Sequence, residues 1–97
     1  MYARVTHVQG TPDKIDAGIE SFKSKVVPAC EGVDGYKGSL MLVDRSSGKG
    51  IGFSLWASEE ARVKGGEAVE AARAATIGAM GGTVPDVEEY EVGFSNL

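Results

Sequence analysis

Proton abstraction near neutral pH suits one side-chain type in this 97-residue chain, and the chain carries it once, at His7. The single tryptophan, Trp56, offers the largest flat apolar surface for an aromatic ligand. Tyr36 and Arg73 are polar enough to orient a phenol or an enolate beside it, and Tyr90 is a further candidate. Together these types describe chemistry on a small aromatic molecule: a base, a stacking surface and groups that steady an anion. Each has a plainer reading too, because lone strand histidines and core tryptophans are common structural residues. Cys30, the one cysteine, is a nucleophile by type, but no base can be paired with it from sequence; it reads as a small residue near a helix end. One histidine and one cysteine, with no close Asp/Glu-His spacing, cannot build a four-ligand zinc or facial iron site within one subunit. No metal and no cofactor are expected. Gly48-Lys49-Gly50 is too short for a phosphate loop and reads as a turn.

The elements that must position these residues follow from periodicity. Tyr2 to Gln9 alternates and is rich in β-formers, which predicts a first strand. Gly10 breaks it; Thr11 is a good N-cap and Pro12 a good first helical residue. Ile15, Ile19, Phe22 and Val26 fall on one helical face, and Pro28 should kink or end that helix. Tyr36 to Arg45 and Ile51 to Ala57 predict a hairpin across Ser46 to Gly50. Ser58 then stands where an N-cap belongs, with Glu59 and Glu60 in the first turn of a helical region reaching about Met80. Gly65-Gly66 weakens it by about 1 kcal/mol per glycine, which predicts a kink or two shorter helices. A last strand is expected from Val84 to Phe94, with Pro85 tolerable near its start. The order β-α-β-β-α-β is the ferredoxin-like α+β arrangement with an antiparallel sheet, one domain over residues 1–97.

The bulk properties narrow the partners. A net charge of −4 argues against nucleic acid, which needs a basic surface. No apolar run approaches bilayer length, and the start of the chain lacks a signal-peptide pattern, so no membrane partner is expected. A lone cysteine fits a reducing cytoplasm. The strands, however, are apolar on both faces. Leu40 and Leu42 point one way and Met41 and Val43 the other; Ile51, Phe53 and Leu55 face opposite to Trp56. Helices on one side of the sheet leave the second apolar face open, at roughly 1.5–3 kcal/mol for each large side chain left in water. A homodimer with two sheets packed face to face is the simplest cover.

GYKGSLMLVDR followed by GIGFSLWASEEA resembles the antibiotic biosynthesis monooxygenase family of the dimeric α/β-barrel superfamily, and the resemblance runs along nearly the whole chain. It implies a dimeric α/β barrel, a pocket between sheet and helices near the end of the third strand, and Trp56 as a wall of that pocket. It also implies first and third strands side by side, with Ala3 near Trp56. His7 shares the parity of Ala3 and Val5, so this frame turns all three toward the helices, with His7 roughly 13 Å along the strand from Ala3. Arg4 then falls on the opposite face, at the dimer interface or an edge. Haem-degrading relatives carry an asparagine near the position of Ala3 and a haem-ligating histidine on the second helix. This chain has neither, which disfavours haem degradation.

Ala61, Gly65, Ala68, Ala72, Ala75 and Ala79 recur at spacings of three and four on the second helix. Either they let the helix approach the sheet closely, or they leave a flat slot in front of it, with Ala72 as the natural probe. The implied function is a cofactor-independent monooxygenase acting on a phenol, quinol or anthrone, with His7 as base and Trp56, Tyr36, Ala72 and Arg73 around the substrate. A non-catalytic dimer that binds a small hydrophobic molecule is the other reading.

Overall fold

Strand alternation and helix caps together build a four-stranded antiparallel sheet with helices on one face. The computed structural model describes residues 1–82 and 86–97. The strands are β1 (Tyr2–Gln9), β2 (Tyr36–Asp44), β3 (Lys49–Trp56) and β4 (Val87–Glu91), in the order β2-β3-β1-β4. This is the ferredoxin-like arrangement, with β1 and β3 paired in the centre as expected. The hairpin closes where Gly48 donates its N–H to the Asp44 carbonyl at 2.9 Å. Gly48 has φ 82°, and a Cβ there would meet the Gly10 carbonyl oxygen at 2.6 Å, so the turn takes glycine alone.

The first helical region is less regular than its periodicity suggests. A 3-10 turn at Pro12–Lys14 leads into α1 (Ile15–Ser21), a π-helical turn at Phe22–Val26, and α2 (Val27–Glu31). Pro28 does not end the helix. The wider π turn just before it absorbs the missing N–H, and helical backbone continues to Glu31. Thr11 has the extended backbone of an N-cap, but its side chain makes no capping hydrogen bond. Ser58 does cap, its hydroxyl accepting from the Ala61 N–H at 3.1 Å.

The second region divides into α3 (Glu59–Ala68) and α4 (Glu70–Ala79), as expected, but the interruption falls at Val69 and not at the glycines. Gly65 and Gly66 remain helical because sheet side chains press against them. A Cβ on Gly65 would lie 2.2 Å from the Trp56 indole, and one on Gly66 would lie 2.0 Å from the Arg4 guanidinium. Tertiary contact outweighs helix propensity here.

Val84 and Pro85, the expected start of the last strand, lie outside the described residues. Regular pairing ends at Glu91, short of Phe94, where Gly93, Ser95 and Asn96 favour turns over strand. Two clusters fill the space under the helices. Val26, Cys30, Trp56, Ala61 and Val69 form one; Val8, Ile15, Ile77 and Met80 form the other.

Candidate functional site: a cavity under the helices

Register decides which side chains meet under the helices. Tyr2 pairs with Trp56 and Ala3 with Leu55. Ala3, Val5 and His7 therefore share the open face with Leu55, Phe53 and Ile51, whereas Arg4, Thr6 and Val8 turn toward the helices. The expected orientation of β1 was taken from Ala3 as the neighbour of Trp56, and one residue of register reverses every side chain on a strand. His7 is exposed, with its Nε2 against Glu88 Oε1 on β4. Tyr90 donates to the other oxygen of the same carboxylate at 2.9 Å. Hydrogen bonds from Tyr90 and then His7 hold the Glu88 carboxyl below its ordinary value.

The covered face is unlike the inner face of an ordinary sheet. One row across it reads Ser39, Ser54, Arg4, Glu89; the next reads Met41, Gly52, Thr6, Val87. Gly50 and Gly52 put no side chain toward the helices. A cavity of about 50 Å³ results, bounded by Arg4, Thr6, Ser54 and the two glycines on the sheet side. Phe22, Val26, Cys30, Arg73, Thr76 and Met80 close it from the helices. That volume holds a few water molecules; benzene occupies an apolar cavity of about 150 Å³.

Trp56 is fully buried but does not border this cavity. It lies between Gly65 and the Tyr36 ring, whose centroid is 5.3 Å away, and its indole N–H donates to the Ser54 hydroxyl at 2.9 Å. Tyr36 bonds to the Ser39 hydroxyl at 2.6 Å, also outside the cavity. Burial raises the Tyr36 phenol, with the Ser39 hydrogen bond opposing it. Ala72 packs on the tryptophan cluster. The small-residue stripe does not supply the floor of a slot: Ala68 is exposed, and past Val69 the buried positions move to Thr76 and Ile77. The opening comes from the glycines of β3 instead. Of the five residues picked for the site, Arg73 alone borders the cavity.

Arg4 is the group expected on the opposite face, whereas Cys30, a small buried residue near the end of α2 as expected, also borders the cavity. Gly65-Gly66 was the signal for Arg4, since two adjacent glycines inside a helix mark a close approach by bulky neighbours. The Arg4 side chain is 15% exposed, and its contact to Glu89 is 3.9 Å, too long for a hydrogen bond. Glu89 bonds instead to Arg62 at 2.9 Å. Desolvation first, then the Arg73 charge, lower the Arg4 guanidinium from its ordinary value. Arg73 is the more exceptional group. Its Nε and one Nη are buried with no hydrogen-bond partner among the described residues. Each such donor costs about 1–3 kcal/mol, more on a charged group. Burial likewise raises the Cys30 thiol, so it stays protonated at neutral pH. The cavity can thus shelter an anion, but no histidine or carboxylate borders it to act as a base.

Among the described residues no helix is long and apolar enough to cross a membrane, and no three His, Cys, Asp or Glu side chains come together to hold a metal ion.

No family model matches the sequence. An uncharacterized protein of Mycobacterium tuberculosis, Rv2557, is 41% identical over 92 residues, covering 95% of this chain and 41% of the relative. The chain thus spans about two fifths of the length of the curated relatives it matches. Among solved structures, a monooxygenase from ActVA-Orf6 of Streptomyces coelicolor, in complex with nanaomycin D, superposes with a TM-score of 0.76 at 17% identity, covering 99% of this chain and 90% of that one. SnoaB of Streptomyces nogalater, a cofactor-independent oxygenase, gives 0.73 at 11% identity, over 98% and 95% of the two chains. The chain shares the fold of these structures and of others described as putative antibiotic biosynthesis monooxygenases.

Proposed function

We propose that the chain is a cofactor-independent oxygenase of a small phenol- or enol-like substrate, bound in the cavity between sheet and helices. The observation that carries this reading is a largely apolar cavity between sheet and helices bordered by two guanidinium groups, on the fold of known oxygenases. Arg73, with Arg4 beside it, stabilises the substrate oxyanion and thereby favours loss of a carbon-bound proton to solvent. The carbanion gives one electron to O₂, and the radical pair joins as a C–O bond to form a hydroperoxide. Loss of the second proton from that carbon expels water and leaves a carbonyl. The protein's part is to orient the substrate and hold its anion. His7, on the other face, takes no part in this scheme. A single ring enters by displacing Met80, a flexible side chain that borders the present space.

One observation favours a second reading, a binding protein without turnover: no base borders the cavity. In either case the open face, with Leu40 and Leu42 exposed, packs on a second copy of the chain. Oxygen uptake with a panel of phenols, quinols and anthrones separates the two. The oxygenase reading expects uptake that Arg73→Gln reduces at least about a hundredfold, the scale of one lost oxyanion donor. Ligand binding without uptake establishes the second reading.

A further inference from the structure

An arginine with unused donors inside an apolar cavity asks for an acceptor. Arg73 Nε and Nη1 are buried donors on a cationic group, and neither has a partner among the described residues. Arg4 borders the same cavity with its guanidinium seated on Gly66, where any side chain would expel it. Glu89, the carboxylate within ion-pair reach of Arg4, lies closer to Arg62, at 2.9 Å against 3.9 Å, so it leaves Arg4 with donors to offer. The charged groups acting on Arg4 are Arg62, Arg73, Glu70 and Glu89. Arg62 is itself within ion-pair distance of both Glu59 and Glu89, which leaves Arg4 and Arg73 as the cations that border the cavity. The rest of the wall, Phe22, Val26 and Met80 with Gly50 and Gly52, is apolar or bare. It fits a small hydrocarbon body and offers little to a sugar or a nucleotide.

We propose that the cavity selects a small monocarboxylic acid, its carboxylate bound by Arg73 and Arg4 and its apolar body lying over the glycines of β3. This names the substrate class of the site proposed above and rests on that site, though not on its oxygen chemistry. The acid is then the species that the site discriminates, and an amide binds less tightly because its neutral oxygen replaces a charge-assisted hydrogen bond to Arg73 with a weaker one.

The test is calorimetric titration of the protein with benzoate and phenylacetate, each against its amide, and with inorganic phosphate. Acids bind at least about tenfold more tightly than their amides, the scale of a charge-assisted hydrogen bond. Arg73→Gln brings the pair within about threefold of each other, and Arg73→Lys restores part of the preference. The wild-type comparison needs no variant, so a misfolded one leaves the test intact. Equal affinity for acid and amide overturns the proposal, as does phosphate binding as tightly as the acids, or no acid binding at millimolar concentration. Oxygen uptake is measured separately with the panel of phenols, quinols and anthrones. An acid preference with no uptake from that panel upholds this proposal and removes the oxygenase reading; uptake of oxygen without an acid preference does the reverse.

Discussion

The two faces of this sheet share the same strands and carry opposite chemistry. Under the helices the central rows run Ser39, Ser54, Arg4, Glu89 and Met41, Gly52, Thr6, Val87. On the open side they run Leu40, Phe53, Val5, Glu88 and Leu42, Ile51, His7. An antiparallel sheet with one wet face normally puts its apolar residues inward. Here the covered face is small, polar and cationic at its centre, with Trp56 and Val8 toward its ends, and the open face carries Leu40, Leu42, Ile51 and Phe53. On the reading proposed above, the covered face receives a ligand and the open face a second copy of the chain.

Gly65→Val strikes the covered face hardest. The added branches collide with the buried Trp56 indole, and the variant loses about 3 kcal/mol of stability by urea denaturation. A variant as stable as wild type would mean that the indole is free to move. Leu42→Asp tests the open face. Sedimentation shows a homodimer weakened at least about tenfold while the protomer keeps its circular dichroism, because Leu42 is half exposed in the single chain. An unchanged dimer would assign the interface elsewhere. His7→Ala sharpens the contrast with the smallest effect. It removes an exposed contact to Glu88, so acid binding in the cavity and thermal stability both stay as in wild type. A loss of turnover in this variant would return His7 to the site and contradict the separation of the two faces.

Most of the fold was legible because it rests on local signals. Pro12, Ser58, the Gly48 turn and the alternation of Leu40, Leu42, Ile51, Phe53 and Leu55 each specify an element or a face within a few residues. The site was not, because it depends on register between strands far apart in sequence. Placing Ala3, and not Tyr2, opposite Trp56 turned His7 inward and Arg4 outward, the reverse of what the pairing gives. Trp56 drew attention as a pocket wall because it is large; its size is used for packing against Gly65. The bare positions that open the cavity, Gly50 and Gly52, look in sequence like hairpin flexibility.

The claim that the covered face is a ligand site meets its most direct test in amide chemical shifts recorded during a titration with benzoate. The account predicts that Gly50, Gly52, Gly66 and Thr6 shift together and saturate, along with the Arg73 side-chain Nε–H, while Leu40, Leu42 and Ile51 stay still. Saturable shifts confined to the open-face residues, with the cavity glycines unmoved, would contradict it.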